Sequence, residues 1–239
     1  MAEPDRGEVA GLVLAGGQGS RMNGQDKGLV VLHGEPMVAH VARRLAPQVG
    51  RLIISANRHA DRYGRYGEVV ADGDPGLGAW QGPLMGIAAA LQVVCRQRAS
   101  EPGGAASNLA ASNPAASNLA ASNLAASNLA TPQWLVVAPC DTPFLPADMA
   151  SRLIGAALAA QSPMAYAVAH GQRHSACMAL RTSLRPGLLA YLQGGDRKVG
   201  LWQARTGAVQ ALFDDAPPHA FMNVNTPEDL AQAERYASQ

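Results

Sequence analysis

The chain has 239 residues, 48% of them apolar, and its 19 basic and 18 acidic side chains leave a formal net charge of +1. This length suits one large α/β domain or two small ones, and the apolar share is sufficient for a sizeable core. The balanced charge argues against a nucleic-acid partner, which usually requires a clear basic excess. The three cysteines lie far apart without a CxxC pair, so neither a disulfide framework nor a zinc ribbon is expected.

The N-terminal residues are polar and partly acidic, unlike those of a secretory signal peptide. No apolar run approaches the roughly 20 residues that a membrane-spanning helix needs. We therefore expect a soluble, cytoplasmic protein with no membrane partner.

Short apolar strands alternate with helical segments along the chain. Strands are predicted at 9–14, 52–55, 69–71, 135–138, 165–169 and 176–180, with a further short apolar piece at 29–32. Helices are predicted at 36–45, 83–98, 146–159, 184–192 and 226–236. This alternation predicts a mostly parallel sheet covered by helices on both sides, a three-layer α/β/α fold. Because ligands bind beyond the carboxyl ends of such strands, functional residues are sought there.

One segment, residues 100–131, differs from the rest in composition. It contains five copies of a five-residue unit, Ala-Ala-Ser-Asn-Leu, with Pro114 in place of one leucine. A period of five fits neither the helical nor the strand repeat, so the leucines cannot share one face. We interpret the segment as a low-complexity, disordered surface insertion that interrupts a single domain spanning residues 1–239.

A glycine-rich turn follows the first predicted strand. Residues 14–22 read Leu-Ala-Gly-Gly-Gln-Gly-Ser-Arg-Met, and Asp26 and Lys27 come shortly after. Closely spaced glycines let backbone N–H groups approach a phosphate, although a plain tight turn would need them too. The turn matches neither the Walker A motif nor GxGxxG. The cations Arg21 and Lys27 favour a polyphosphate ligand.

An aspartate, Asp141, follows the strand predicted at 135–138. A carboxylate at the carboxyl end of a strand is well placed to hold Mg²⁺ against substrate phosphates, although it could simply cap the next turn. Its presence at the same sheet edge as the glycine turn favours the metal role. The preceding Cys140 is interpreted as a packed thiol, since an apolar run precedes it and no histidine is adjacent in sequence.

Five further polar residues lie at predicted strand ends or connections. Asp72 could accept a hydrogen bond from a base or ribose, or serve only as a turn residue. Asn223 and Asn225 would share one face at a strand end, or cap the following helix. Arg173 and His174 lie in a polar loop predicted between two strands, which suits an anionic second substrate or a plain hairpin tip.

Taken together, these motifs resemble the NTP-transferase superfamily and, within it, the molybdenum cofactor guanylyltransferases. The resemblance covers nearly the whole chain except the insertion, and it implies a Rossmann-like fold of the nucleotide-diphospho-sugar transferase type. It rests on the glycine-rich turn at 14–22, Asp-Lys-Gly at 26–28, Ala-Asn-Arg at 56–58, Asp72, Gly-Pro-Leu-x-Gly at 82–86, Pro-Cys-Asp-Thr-Pro at 139–143 and Asn-Val-Asn-Thr-Pro-Glu-Asp-Leu at 223–230.

The resemblance implies transfer of GMP from GTP to the phosphate of molybdopterin, with Mg²⁺ as cofactor and other molybdenum cofactor proteins as further partners. The implied catalytic residues are Arg21, Lys27 and Asp141. The implied nucleotide-binding residues are Leu14, Ala15, Gly16, Gly17, Lys27, Ser55, Asp72 and Asp141. The implied metal ligands are Asp141 and Asn225, and the implied pterin-side residues are Arg173 and Asn223. Ser55 departs from the family, which usually has asparagine there.

The sequence motifs also fit other functions. A cytidylyltransferase for the same pterin and a sugar-phosphate nucleotidyltransferase share the superfamily motifs, and base choice depends on contacts near Ala15 and Ser55. A non-catalytic carrier that holds the pterin or the nucleotide is a more distant alternative. The combination of Lys27 and Asp141 argues against a carrier, because a binding protein has less need of a metal site.

Overall fold

The computed structural model of the chain describes residues 5–16, 26–71, 82–99 and 132–238. The strands in these ranges are β1 (Val9–Leu14), β2 (Val31–Leu32), β3 (Glu35–Pro36), β4 (Arg51–Ser55), β5 (Glu68–Val70), β6 (Trp134–Pro139), β7 (Met164–Ala169), β8 (Gln172–Arg181) and β9 (Val209–Leu212). The helices are α1 (Met37–Leu45), α2 (Ala60–Tyr63), α3 (Pro83–Ala99), α4 (Met149–Ala159), α5 (Arg185–Gln193), α6 (Val199–Arg205) and α7 (Pro227–Ala237). The insertion at 100–131 and the predicted site residues Gly17, Arg21 and Asp72 lie outside the described residues.

Within the described ranges, the central sheet has seven strands in the order β5-β4-β1-β6-β8-β7-β9. The strands β5, β4, β1 and β6 run parallel to one another, β8 is antiparallel to both of its neighbours, and β9 pairs in parallel with β7. The remaining strands, β2 and β3, form a small antiparallel hairpin of their own. The prediction of a mostly parallel sheet is confirmed.

Helices cover both faces of the sheet. Side chains that alternate along β1 are apolar on both faces, so both faces need a covering layer. Val9 and Val13 pack on the face covered by α1 and α4, whereas Ala10 and Leu12 pack on the face covered by α3 and α5. A strand that is buried on both faces reads as a continuous apolar run, as this one does. The three-layer α/β/α prediction is therefore confirmed. None of the helices in the described part of the chain is long and apolar enough to cross a membrane.

The second half of the sheet differs from its prediction. The strand β8 begins at Gln172, so the residues predicted as a polar loop, 171–174, lie mostly inside a strand, and the turn is at His170 and Gly171. Helix α6 and strand β9 were not predicted, because seven and four residues are too short to show a clear period. The tight turn that joins β7 to β8 uses positive φ at both His170 and Gly171.

Candidate functional site

The carboxyl ends of three parallel strands meet at one edge of the sheet. The Ala15 N–H donates to the Ser55 carbonyl at 2.8 Å, which aligns the ends of β1 and β4. The Cys140 N–H donates to the Leu14 carbonyl at 3.0 Å, which aligns the ends of β1 and β6. The start of the glycine-rich turn, the end of β4 and Asp141 are therefore neighbours, as the sequence predicted.

Three residues that are distant in sequence meet at this edge. The Lys27 Nζ lies 3.3 Å from Asp141 Oδ2, and it also donates to the Asn225 side-chain oxygen. The Lys27 and Asp141 side chains are 22% and 17% exposed, so the pair is screened from bulk water but still reachable by a ligand. The described residues thus bring together one cation and two oxygen donors at a single point.

The first turn of α7 fixes the position of Asn225. The Asp229 carboxylate accepts from the N–H groups of Asn225 and Thr226, both at 2.9 Å, and the Thr226 hydroxyl accepts from the Asp229 N–H at 3.1 Å. This reciprocal capping box orders the residues just before the helix. In addition, the Val224 N–H donates to the Asp141 carbonyl at 2.8 Å. Asn225 is therefore held against Asp141 by the Val224 main-chain bond on one side and by the Asp229 carboxylate on the other.

The two asparagines of the 223–225 segment do not act as a strand-end pair. The segment is not part of a strand, and its asparagines have different partners. The Asn223 side-chain oxygen accepts from the Thr142 hydroxyl at 2.7 Å, whereas Asn225 contacts Lys27. Asn223 therefore contacts Thr142, the residue directly after Asp141. Asn223 is exposed, so a ligand can reach it.

The electrostatics of the site favour an added cation. Burial raises the pKa of the Asp141 carboxyl above its usual value, and the nearby Lys27 ammonium only partly opposes this effect. A carboxylate in that environment gains stability from further positive charge. The charge of Asp141 is thus only partly compensated by the side chains around it.

The donor set fits Mg²⁺ that is completed by substrate phosphates. The Lys27 Nζ contacts side-chain oxygens of both Asp141 and Asn225, so two oxygen atoms that could ligate a metal lie close to the same point. Mg²⁺ commonly uses one or two carboxylates together with phosphates and water, rather than a cage made only of protein ligands. Among the described residues there is no group of three or more histidine, cysteine or acidic side chains that could hold a metal.

Cys140 is a packed thiol, as interpreted from the sequence. Its side chain is buried in the core, and burial raises the pKa of the thiol well above its usual value. The neighbouring Asp141 carboxylate raises that pKa further. Because the thiolate is the reactive form, Cys140 is unsuited to act as a nucleophile.

A second group of polar residues lies on β8, where the strand extends beyond the end of β6. The last paired residues of these strands are Val137 and Met178, and β6 ends two residues later at Pro139, so residues 172–175 continue past the carboxyl end of β6. The Arg173 guanidinium lies 4.0 Å from the centre of the Tyr166 ring. His174 stacks on Phe221 with ring centres 4.8 Å apart.

Two further contacts hold the Arg173 side chain. Its Nη2 donates to Gln203 Oε1 at 2.7 Å, and its Nε donates to the Ser175 hydroxyl at 3.0 Å. Gln203, on α6, is fully buried, and its own amide donates to the Ser175 carbonyl at 2.9 Å. Sequence reasoning missed Gln203, because a single glutamine in an unpredicted helix carries no distinguishing signal.

Sequence reasoning also missed the role of Tyr63. This residue is fully buried, and its hydroxyl donates to the carboxylate of Asp26, the residue before Lys27. Burial raises the pKa of the Tyr63 phenol far above its usual value, so the hydroxyl remains a donor at neutral pH. The Asp26-Lys27-Gly28 motif was the available signal, but nothing in the sequence linked it to Tyr63.

The remaining predicted nucleotide residues line the same edge where they are described. Leu14, Ala15 and Gly16 lead out of β1, and Ser55 ends β4 with a fully buried side chain. Gly17, Arg21 and Asp72 stay predictions, because they lie outside the described ranges. The candidate site therefore consists of Lys27, Asp141 and Asn225, with Leu14 to Gly16 and Ser55 on one side and Asn223 and Arg173 on the other.

Comparisons with known proteins find relatives that match almost the whole chain. Residues 11–207 match the family model described as the MobA-like NTP transferase domain. The chain is 38% identical to the molybdenum cofactor guanylyltransferase of Ralstonia pickettii (strain 12J), over 95% of this chain and 97% of that protein. It is 39% identical to the protein of the same name from Cupriavidus taiwanensis, over 94% of this chain and 96% of that protein.

Solved structures show the same fold at lower identity. The molybdopterin-guanine dinucleotide biosynthesis protein A of Archaeoglobus fulgidus superposes with a TM-score of 0.65 at 23% identity, covering 96% of this chain and 98% of that one. The 4-diphosphocytidyl-2C-methyl-D-erythritol synthase of Anaerococcus prevotii superposes with a TM-score of 0.60 at 9% identity, covering 98% of this chain and all of that one. At these identities the structures support the fold alone.

Proposed function

The chain belongs to the MobA-like NTP transferase family, and we propose that it transfers GMP from GTP to the terminal phosphate of molybdopterin. The products are the guanine dinucleotide form of the cofactor and pyrophosphate. The curated relatives named above, which match almost the whole chain, support this choice of substrates.

One observation carries the proposal: Lys27, Asp141 and Asn225 meet at the carboxyl edge of the sheet, next to the start of the glycine-rich turn. This is the edge where parallel α/β sheets bind nucleotides. A lysine ammonium supplies a compact positive charge for phosphate oxygens. The arrangement therefore suits a triphosphate that lies across the ends of β1 and β6.

The reaction needs no general base, because the attacking phosphate is already anionic at neutral pH. One of its oxygens forms a bond to the α-phosphorus of GTP, and the bond between that phosphorus and the bridging oxygen to the β-phosphate breaks. The electron pair of this bond leaves with pyrophosphate. Catalysis then consists of placing the two phosphates in line and neutralising the charge that develops on the leaving group, which we assign to Lys27.

We propose that Asp141 and Asn225 hold Mg²⁺ during turnover. When bound, the ion would neutralise charge on the triphosphate and help to orient it. The two oxygen donors within reach of the Lys27 ammonium support this assignment, as does the partly compensated charge of Asp141. Arg21, Gly17 and Asp72 join the proposed nucleotide site by their positions in the motifs.

The molybdopterin side of the proposed site lies along β8 and the 223–225 segment. Arg173 offers a planar cation that is already oriented by Tyr166, Gln203 and Ser175. Such a group suits an anionic or conjugated ligand, because guanidinium both pairs with anions and stacks on flat rings. Asn223 adds an exposed amide near the 139–143 loop.

All three cysteines are free thiols, which supports a reducing, cytoplasmic setting for the reaction.

A pyrophosphate-release assay tests the proposal. The protein is incubated with GTP, CTP or UTP and Mg²⁺, with and without molybdopterin, and with an Asp141→Ala variant as the inactive control. We expect release only with GTP and molybdopterin together. Release with CTP instead would identify a cytidylyltransferase, and binding of molybdopterin without any release would support a carrier.

A further inference from the structure

The turn that carries Lys27 rests on a buried hydrogen bond. Tyr63 ends helix α2 and is fully buried, and its hydroxyl donates to the Asp26 carboxylate, which is 9% exposed. A buried carboxylate is costly unless a donor satisfies it, and a hydrogen bond to an ionised acceptor is stronger than a neutral one. Asp26 is therefore anchored at the residue directly before Lys27.

The residue after Lys27 also packs against Tyr63. A Cβ atom at Gly28 would lie 2.5 Å from the Tyr63 hydroxyl oxygen and 3.0 Å from Cε1 of its ring. Only glycine lets the backbone approach the ring this closely. Tyr63 thus contacts the residues on both sides of Lys27, one through a hydrogen bond and the other through van der Waals contact.

The turn itself is short and closed. The Leu29 N–H donates to the Asp26 carbonyl at 2.9 Å, and the Val30 N–H donates to the Lys27 carbonyl at 3.2 Å. A lysine side chain has four flexible carbons, so the position of its ammonium depends on where the backbone is fixed. From this turn, Lys27 reaches Asp141 at 3.3 Å, and it also contacts Asn225.

We propose that Tyr63 is a positioning residue for Lys27: its bond to Asp26 and its contact with Gly28 fix the turn that aims the ammonium at Asp141 and Asn225. The kinetic consequence rests on the proposed guanylyl transfer. Tyr63 is fully buried, so it does not touch the substrate and acts only through Lys27.

The first test is the Tyr63→Phe variant, which removes the hydroxyl and keeps the ring. We expect guanylyl transfer to slow by about tenfold, since one hydrogen bond to a charged group is lost. The matched control is Thr182→Val. It also removes a buried hydroxyl, which donates to the Pro132 carbonyl at 3.1 Å, but at the opposite edge of the sheet. We expect the control to keep the wild-type rate. Equal rates for Tyr63→Phe and wild type would overturn the proposal.

A double-mutant cycle then separates positioning from general stability. In a Lys27→Met background there is no ammonium to aim, so adding Tyr63→Phe is expected to change the remaining rate by less than about twofold. Contacting residues in one network show such non-additivity, whereas independent effects add. If Tyr63→Phe slows the Lys27→Met enzyme by the same factor as the wild-type enzyme, Tyr63 does not act through Lys27.

Hydrogen exchange gives a readout that does not depend on activity. We expect the amides of Leu29 and Val30 to exchange faster in Tyr63→Phe than in wild type and to stay unchanged in Thr182→Val. Unchanged exchange in Tyr63→Phe would refute the anchoring of the turn, even in a protein with normal activity. Conversely, faster exchange in a chain whose wild type shows no guanylyl transfer would leave the anchoring intact and refute only the proposed reaction.

Discussion

The central sheet has a parallel half, made of β5, β4, β1 and β6, and a half built around the antiparallel strand β8 with β7 and β9, called here the antiparallel half. The two halves place their polar residues in different ways. In the parallel half, Asp141 and Lys27 lie on connections that follow strand ends. The Cys140 N–H bond to the Leu14 carbonyl fixes the start of the Asp141 connection, and the hydrogen-bonded turn at residues 26–30 fixes Lys27. In the antiparallel half, Arg173 lies within β8 itself, and side chains from β7 and α6 hold it. The positions of the polar residues in the parallel half depend on where the strands end. In the antiparallel half, the position of Arg173 depends on side-chain contacts with neighbouring elements. We therefore expect the first half to control the chemical step and the second to control binding of the second substrate.

The largest effect is expected from Asp141→Ala in the parallel half. Loss of this electrostatic element should lower kcat by roughly 10²–10³-fold. The control is Asp196→Ala, which removes an exposed carboxylate that pairs with Arg205 at 2.8 Å. Steady-state kinetics with GTP and molybdopterin measure both variants, and their circular dichroism spectra should match that of the wild type. A near-normal kcat for Asp141→Ala would contradict the metal assignment.

The next effect concerns Arg173 in the antiparallel half. Arg173→Met should raise the KM for molybdopterin about tenfold, the loss typical of one charged contact, and leave the KM for GTP unchanged. Arg181 offers a matched control at the other end of β8, where it stacks 4.2 Å from the Trp134 ring centre and donates to Gln133. We expect Arg181→Met to change neither constant. A rise in the KM for GTP alone would mean that Arg173 contacts GTP and not molybdopterin.

A smaller change in the same direction is expected from Gln203→Leu. This variant keeps the buried volume of the side chain but removes both the acceptor for Arg173 Nη2 and the donor to the Ser175 carbonyl. The guanidinium would keep its stack on Tyr166 and lose one anchor, so the KM for molybdopterin should rise only about threefold. In an Arg173→Met background, Gln203→Leu should have no further effect on that KM. An additive effect would mean that Gln203 acts on its own.

The smallest effect is on stability. Burial raises the pKa of Asp141 in the folded protein, so the native state holds this proton more tightly than the unfolded chain does. The associated stability is present below the unfolded pKa and is lost as the pH rises through the folded pKa. The neutral variant Asp141→Asn should therefore have a higher Tm than wild type at pH 7, without divalent cations, and the difference should shrink towards pH 4. A lower Tm at pH 7 would show that the Lys27 pair outweighs burial.

The sequence predicted the parallel half better than the antiparallel half, for a physical reason. Apolar runs such as Val9–Leu14 are buried on both faces, and their ends are marked by glycine, proline or aspartate. The meeting of Lys27 and Asp141 followed from the rule that parallel strands share a carboxyl edge. The C-terminal helix was also predicted, because Thr226 suits the N-cap, Pro227 suits the first helical position and acidic residues follow. The capping box between Thr226 and Asp229 is a finding of the structure.

The antiparallel half lacks such local signals. Gln172 to His174 are polar and follow a turn, yet pairing with β7 makes them part of a strand. Tertiary pairing here overrides the local pattern. The partners Gln203 and Tyr63 were missed for the same reason, since their importance comes only from the residues that they contact across the fold.

We propose that Asp141 and Asn225 hold one cation against the triphosphate that Lys27 also contacts. A crystal structure with Mn²⁺ and a GTP analogue that resists cleavage between the α- and β-phosphates tests it most directly. We expect an anomalous peak about 2.2 Å from oxygens of Asp141 and Asn225, with the Lys27 ammonium on the same triphosphate. A cation bound to the phosphates with no ligand from Asp141 would contradict it.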